Sequence, residues 1–259
     1  TPHAHNFITH DGESPAAISS KAKAQVLEYP TVKFVDAKVV AISNGDRFEV
    51  TTDQNETYTA RKVLFATGVK DTMSAIQGFA QCWGISILHC PYCHGYEVSG
   101  KNTGIIANGD TAYDLCTLIQ HWTDQLTLFT NGSATISPEQ RQSIEQLGIR
   151  IIEDEIEEIA HESGMVKEIR LIDKTEHPLE AIYARVNFTQ HCPIPLDLGC
   201  AQTDSGHIAV DMFNKTNVDN IYAAGDNTTP FRSLAYATSE GSKAGAIINK
   251  ELITEDLAY

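Results

Sequence analysis

Two apolar segments, far apart along the chain, end in the same way: Val63-Leu-Phe-Ala-Thr67-Gly68 and Asn220-Ile-Tyr-Ala-Ala-Gly225-Asp226. Each reads as a buried strand that delivers a glycine to its C-terminal end, which is where an open parallel sheet receives ligands. Between them, from about Gly100, the pattern changes to alternating strand and helix. Strands are expected at 103–107, 126–130 and 150–153, with helices at 111–122 and 138–147. Strand–helix–strand spacing of this kind means βαβ units on a parallel sheet. A meander follows at 156–172, turning at Gly164. The economical arrangement is an insertion in which 89–191 interrupts an α/β domain made of 1–88 and 192–259.

The flanking halves carry their own signals. Residues 13–28 read as a helix with Pro15 near its start. Strands are expected at 32–43, 47–52 and 58–66, with Asn44-Gly45-Asp46 and Asp53-Gln54-Asn55 as turns. A last Ala/Gly-rich helix is expected at 239–250. The chain is long enough for two domains at 259 residues, and 42% apolar residues suffice for a sizeable core. A formal net charge of −15 argues against a nucleic-acid or anionic-membrane partner, both of which require basic patches. No apolar run is long enough to span a bilayer. The opening TPHAHNFITHDGE has neither the basic start nor the apolar stretch of an export signal, so a cytoplasmic location is expected.

Six cysteines are too few for a disulfide scaffold. Cys82, Cys116, Cys192 and Cys200 are scattered and read as small buried apolar residues. The other two form Cys90-Pro-Tyr-Cys93, with His89 before and His94 after. Two thiols this close can open and close a small ring, and an adjacent imidazole can hold or supply the proton. Zinc is the competing chemistry. It needs four ligands in spaced pairs, and the adjacent residues His89, Cys90, Cys93 and His94 rarely reach one tetrahedral ion together. Redox chemistry without a metal is therefore the expectation.

At the strand ends, Gly225 lets a ligand approach and Asp226 can hold a sugar or ribityl hydroxyl, although Asp226 could equally cap a helix. In the middle domain Gly109, Asp110 and Thr111 fall where a phosphate-binding turn belongs, between a strand and a helix. The fingerprint is degraded, because Ala107 stands in the first glycine position and only Gly109 remains. After the next strand, Phe129-Thr130-Asn131-Gly132 offers neither an acid for a ribose nor an arginine for a 2′-phosphate. These residues leave nicotinamide binding open.

Taken together, the glycine-terminated strand at Ala66, Thr67 and Gly68, the Cys90–Cys93 pair, the turn at 107–112 and the stretch Tyr222–Asp226 with its following helix resemble the low-molecular-weight thioredoxin reductases. The resemblance runs along essentially the whole chain. It implies two Rossmann-like three-layer β/β/α domains, the second inserted into the first, with FAD held by the outer one and NADPH a candidate for the inner one. It implies that Cys93 is the thiol nearer the flavin and that Cys90 exchanges with the substrate. Asn6, Ala37, Asp226, Arg232, Ser233, Leu234 and Ala235 fall where that family contacts FAD. A homodimer is expected by the same analogy.

Three departures accompany the resemblance. The acid that usually follows the second cysteine is here His94, and HCPYCHGYE is more similar to the dithiol oxidases, which use FAD and dioxygen. The basic residues that read a 2′-phosphate are absent at 129–134. The glycine-rich turn that opens the family's FAD domain is not found before Asn6, so an N-terminally truncated form is expected. The working expectation is a flavin-linked thiol–disulfide oxidoreductase that passes electrons between NADPH, FAD and Cys90–Cys93, with His94 as acid/base and no metal. Its substrate is a disulfide or dithiol, on a thioredoxin-like protein or a small molecule. The alternatives are a dithiol oxidase and a redox-sensing remnant without FAD.

Overall fold

The computed structural model describes residues 1–258. The chain forms two compact units, each assembled from two stretches of sequence. The first comprises Thr1–Lys21 and Thr72–Asn187; the second comprises Ala22–Asp71 and the chain from Phe188 through the C-terminal helix. These bounds differ from the expected breaks at 88/89 and 191/192, because 1–21 and 72–88 pack with the middle of the chain.

The first unit is built on a five-stranded parallel sheet. Its spatial order is Ile87–Leu88, Ala181–Ala184, Thr103–Ile106, Leu126–Phe129, Arg150–Ile152. Successive side chains on a strand point to opposite faces, and here both faces are covered. Ile105, Leu128 and Tyr183 pack with Leu115, Ile119 and Ile144 of the helices Gly109–Ile119 and Pro138–Gln146. Their neighbours Phe129, Ile182 and Ala184 point the other way, onto Ile159, Ile169 and Leu171 of an antiparallel meander. The result is a meander, a parallel sheet and a helical layer stacked in that order. Each fully buried Ile or Leu stabilises such a stack by roughly 1.5–3 kcal/mol.

Local chemistry sets the helix ends. Ser137 Oγ accepts from the Gln140 amide at 3.2 Å while the Gln140 side chain accepts from the Ser137 amide at 2.9 Å, a reciprocal capping box. Asn108 caps the helix Gly109–Ile119, which begins two residues before the expected start. The strand Ala181–Ala184 is absent from the sequence expectation. It is short, it is apolar on both faces and it carries no period, so only its central place in the sheet identifies it.

The second unit uses smaller pieces. Val39–Asn44, Phe48–Thr52 and Thr57–Ala60 make an antiparallel meander. Val63–Phe65 pairs in parallel with Ile221–Ala223, and Val69–Asp71 pairs antiparallel with Phe188–Gln190. Phe48, Phe65, Ile208, Ile221 and Ala223 form its core. The single strand expected at 58–66 is broken in two at Arg61-Lys62, because both cations turn toward acids of the helix Leu234–Leu257. That helix starts five residues before the expected 239, where Ser233 Oγ accepts from the Tyr236 amide at 3.1 Å. Residues 32–38 are exposed apart from half-buried Ala37 and lie outside any strand, so the expected strand at 32–43 is realised only from Val39.

Candidate active site

In the first unit the strand Ile87–Leu88 runs into a single helical turn, Pro91–His94. Cys90 precedes it in extended conformation and Pro91 occupies the first helical position, where its missing N–H costs nothing. One turn of helix brings Cys93 back beside Cys90, with Sγ atoms 2.8 Å apart. Gly95 closes the turn, its amide donating to the Pro91 carbonyl at 2.6 Å. A Cβ at position 95 would lie 2.3 Å from the Trp122 indole nitrogen and 2.4 Å from that carbonyl, so the turn tolerates only glycine there.

The two thiols are unequal. Cys90 is held well below the ordinary thiol range, at about 6, because the Cys93 thiol donates to it and the Cys93 and Tyr92 amides add to that stabilisation. Cys93 is pushed up, first by holding its proton in the bond to Cys90 and then by burial. His94 is pushed down by burial, against the pull of Glu97, which favours a neutral imidazole able to accept a proton. Cys93, His94 and Asn6 line one open cavity of about 400 Å³ together with Trp122, His5 and Glu97.

Sequence reasoning missed several of these neighbours. Trp122, His5, Asp11 and Glu97, which line the same cavity, carry no spacing signal that ties them to the thiol pair. Tyr183 was also missed. Its hydroxyl is buried without a hydrogen-bond partner, and its phenol is pushed up by burial and then by negative charge on Cys90, so it lies within the field of the thiol pair. Of the four scattered cysteines, Cys82, Cys116 and Cys200 are buried as expected and Cys192 is half-buried.

The turn at Gly109, Asp110 and Thr111 lies between strand and helix in the first unit, with Gly109 at φ +59°. It is tied off from within. Asn108 Oδ1 accepts from the Gly109 amide at 2.9 Å and from the Thr135 amide at 2.8 Å, and Asp110 accepts from Gln140 at 2.8 Å. Beyond the next strand, Glu153 accepts from the Ala134 amide at 2.7 Å and pairs with Arg141.

In the second unit the parallel pairing of Val63–Phe65 with Ile221–Ala223 brings the two glycine-terminated ends side by side. The Ala224 amide and the Asn227 side chain both donate to the Phe65 carbonyl, at 3.0 and 2.9 Å. Gly68 and Gly225 have φ of +63° and +88°, which suits glycine, and nothing lies within 4 Å of where a Cβ on Gly68 would stand. Thr67 Oγ1 is buried with no partner. Asp226 is pushed up by burial, against the pull of Arg232. Arg232 donates to Asp71 at 2.6 Å and lies over the Phe188 ring. Ser233, Leu234 and Ala235 open the long helix. An orphaned hydroxyl, a desolvated carboxylate and two glycines of positive φ, one of them facing open space, fit a hydroxyl-rich dinucleotide such as FAD. Ala66 is exposed beside them, Ala37 is half-buried in the otherwise exposed stretch 32–38, and Asn6 belongs to the first unit.

Comparison with known proteins agrees with this geometry. The family model for pyridine nucleotide-disulphide oxidoreductases matches residues 2–241. Thioredoxin reductase sirT of Leptosphaeria maculans is 28% identical, with 99% of this chain and 84% of the relative covered. The crystal structure of a putative thioredoxin reductase TrxB from Bacillus anthracis superposes with a TM-score of 0.93 at 29% identity, covering 98% of this chain and 87% of that one. The crystal structure of HlmI superposes equally well, with a TM-score of 0.93 at 27% identity, covering 100% and 82%. Thioredoxin reductases of this family are FAD-dependent, with NADPH as the electron donor, and the α/β fold is Rossmann-like. The chain therefore belongs to the pyridine nucleotide-disulphide oxidoreductase family and is an enzyme of the thioredoxin reductase-like type.

Proposed function

We propose that Cys90 and Cys93 are the working thiols of this flavin-linked oxidoreductase, that Cys90 exchanges with the substrate, and that His94 carries the proton. The observation that supports this most directly is the unequal pair: two sulfurs 2.8 Å apart with Cys90 held at about 6. In the reducing direction the Cys90 thiolate attacks a substrate disulfide, forming a mixed disulfide and releasing one substrate thiolate. Cys93 gives its proton to His94 and attacks Cys90 Sγ. The substrate's second sulfur leaves, is protonated from His94, and a Cys90–Cys93 disulfide remains. Bound FAD supplies the two-electron link between that disulfide and a second redox partner. The candidate flavin contacts are Thr67, Gly68, Gly225, Asp226 and the start of the following helix; Gly109–Thr111 is the candidate nicotinamide turn.

A second reading runs the same parts in reverse, with a dithiol as substrate and dioxygen as the final acceptor. It is favoured by the internal ties at Gly109 and by the carboxylate Glu153 close to where a 2′-phosphate reader would be. The family analogy further supports a homodimer, a cytoplasmic setting and a thioredoxin-like protein or small-molecule substrate. No described helix is long and apolar enough to cross a membrane.

A visible absorption spectrum, taken before and after anaerobic addition of NADPH and then of a dithiol, separates the readings. A flavin band bleached by NADPH supports the reductase, and one bleached only by dithiol supports the oxidase. Cys93→Ser should abolish electron exchange between thiols and flavin; full turnover in that variant overturns the assignment.

A further inference from the structure

We propose that His5, His94 and Glu97 form a binding site for a transition-metal dication of the zinc class, and that filling it silences the dithiol centre by engaging His94. The second half rests on the proton role of His94 proposed above; the first half does not.

The three side chains each offer one ligand atom, and all three atoms lie within 4.8 Å of one another. His5 Nε2 stands 3.4 Å from Glu97 Oε1. Ligands about 2.0–2.1 Å from a tetrahedral ion are separated by about 3.4 Å, so this edge already has the required length. It is too long for a charge-assisted hydrogen bond, which runs about 2.7–2.9 Å. Since all three atoms lie within 4.8 Å, the third ligand needs a movement of at most about 1.4 Å, within reach of a rotamer adjustment.

The donor set is chemically selective. Two imidazoles and one carboxylate suit zinc, with a fourth position left to water, and imidazole discriminates against magnesium and calcium. The ligands are also oriented before any ion arrives. His5 Nδ1 faces Asp11 Oδ2 at 3.3 Å, and Asp11 Oδ1 accepts from the Asn6 amide at 2.9 Å. A carboxylate on one ring nitrogen directs the other nitrogen's lone pair outward, the usual support behind a metal-bound histidine. His94 ends the turn Pro91–His94 and Glu97 lies in the next turn, Tyr96–Val98. The loop carrying His5 is pinned by amide bonds of 2.8 Å from Ala4 to Glu13 and from Gly12 to Ala4. The cluster opens to solvent, since the His5 and Glu97 side chains are 21% and 38% exposed. This site differs from the zinc arrangement weighed in the sequence, because a residue from the opening segment replaces neighbours that are too close together to share one ion.

The test uses the flavin-loaded chain carrying Cys90→Ser and Cys93→Ser, titrated with zinc against a chromophoric chelator. One zinc per chain is expected. Asp11→Asn should weaken it about tenfold to a hundredfold, with larger losses in Glu97→Gln and His5→Ala. Loss of zinc in the double serine variant itself assigns the metal to the thiols and overturns the site. Undiminished affinity in Glu97→Gln and His5→Ala puts the metal elsewhere and also overturns it. In the chain with both cysteines, zinc should slow turnover and Glu97→Gln should relieve that inhibition; zinc bound with full turnover overturns the silencing. His94→Gln with undiminished turnover overturns the proton role instead, and leaves the titration to judge the metal site.

Discussion

The two units are held together by different physics. In the first, a parallel sheet is sealed on both faces, and Ile105, Leu128, Phe129 and Ile182 are completely buried. In the second, the helix Pro15–Leu27 that leads into it buries no residue and the meander is largely exposed. Its long helix buries only Glu240 and Ala244. Polar clamps do much of the positioning there: Lys62, with its side chain 3% exposed, is held by Asn220, Glu251 and Glu255. The comparison teaches where each kind of chemistry can sit. The thiol pair proposed to exchange with substrate stands at the edge of a close-packed layer, whereas the candidate flavin cradle uses glycines and orphaned polar groups that a ligand can complete.

Thiol reactivity sharpens the contrast most. At pH 7 Cys90, at about 6, should be mostly thiolate, while burial pushes Cys116 up to about 12 and raises Cys200 as well. Alkylation of the reduced protein, read by peptide mass spectrometry, should label Cys90 at least about a hundredfold faster than either. Because only the thiolate reacts, the Cys90 rate itself should level off above about pH 6 and fall about tenfold per pH unit below it. Equal labelling at Cys90 and Cys200 would contradict the assigned environments.

The next effect is on packing. Ile105→Ala should destabilise the first unit by about 2–5 kcal/mol in chemical denaturation, whereas Val40→Ala on the exposed meander should change stability by less than about 0.5 kcal/mol. Similar losses at both positions would erase the distinction between the units.

Glu251→Gln probes the polar clamp. Burial raises the Glu251 carboxyl, but Lys215, Tyr222 and Lys62 outweigh it and hold the group at about 2. A depressed carboxylate adds stability that is complete above the ordinary carboxylate range and disappears as pH falls through about 2. The substitution should therefore cost about 1–3 kcal/mol at pH 7 and nearly nothing at the acid end. A cost independent of pH would point to packing instead. The smallest effect is expected at Gly68→Ala, where φ is +63° and no atom stands in the way. Backbone strain alone should cost about 1 kcal/mol, and a larger loss would reveal a contact that glycine now avoids.

Much of the first unit is visible in its residues. The βαβ alternation and the Gly164 meander are local signals, each written within a dozen or so neighbours. The strand Ala181–Ala184 is not, because it has no period and its register comes only from pairing with Thr103–Ile106. In the second unit, Arg61-Lys62 shows as polar residues inside an apolar run, yet what breaks the strand is acids on a helix near the far end of the chain. The candidate site divides in the same way. Cys90, Cys93 and His94 announce themselves through spacing, while Trp122, Tyr183, His5 and Glu97 join them by folding alone.

By itself, then, the order of residues determined the alternation of elements, the thiol pair with its adjoining imidazole, and the two strands that end in glycine. These depend on spacing along the backbone, over distances a few bonds long. Tertiary structure alone decided that Tyr183 would be buried within the field of the thiol pair, that Asn108 would tie Thr135 to the Gly109 turn, and that His5 would meet His94 and Glu97. Those outcomes depend on desolvation and on contacts between groups remote in sequence, and both exist only once the chain has closed on itself.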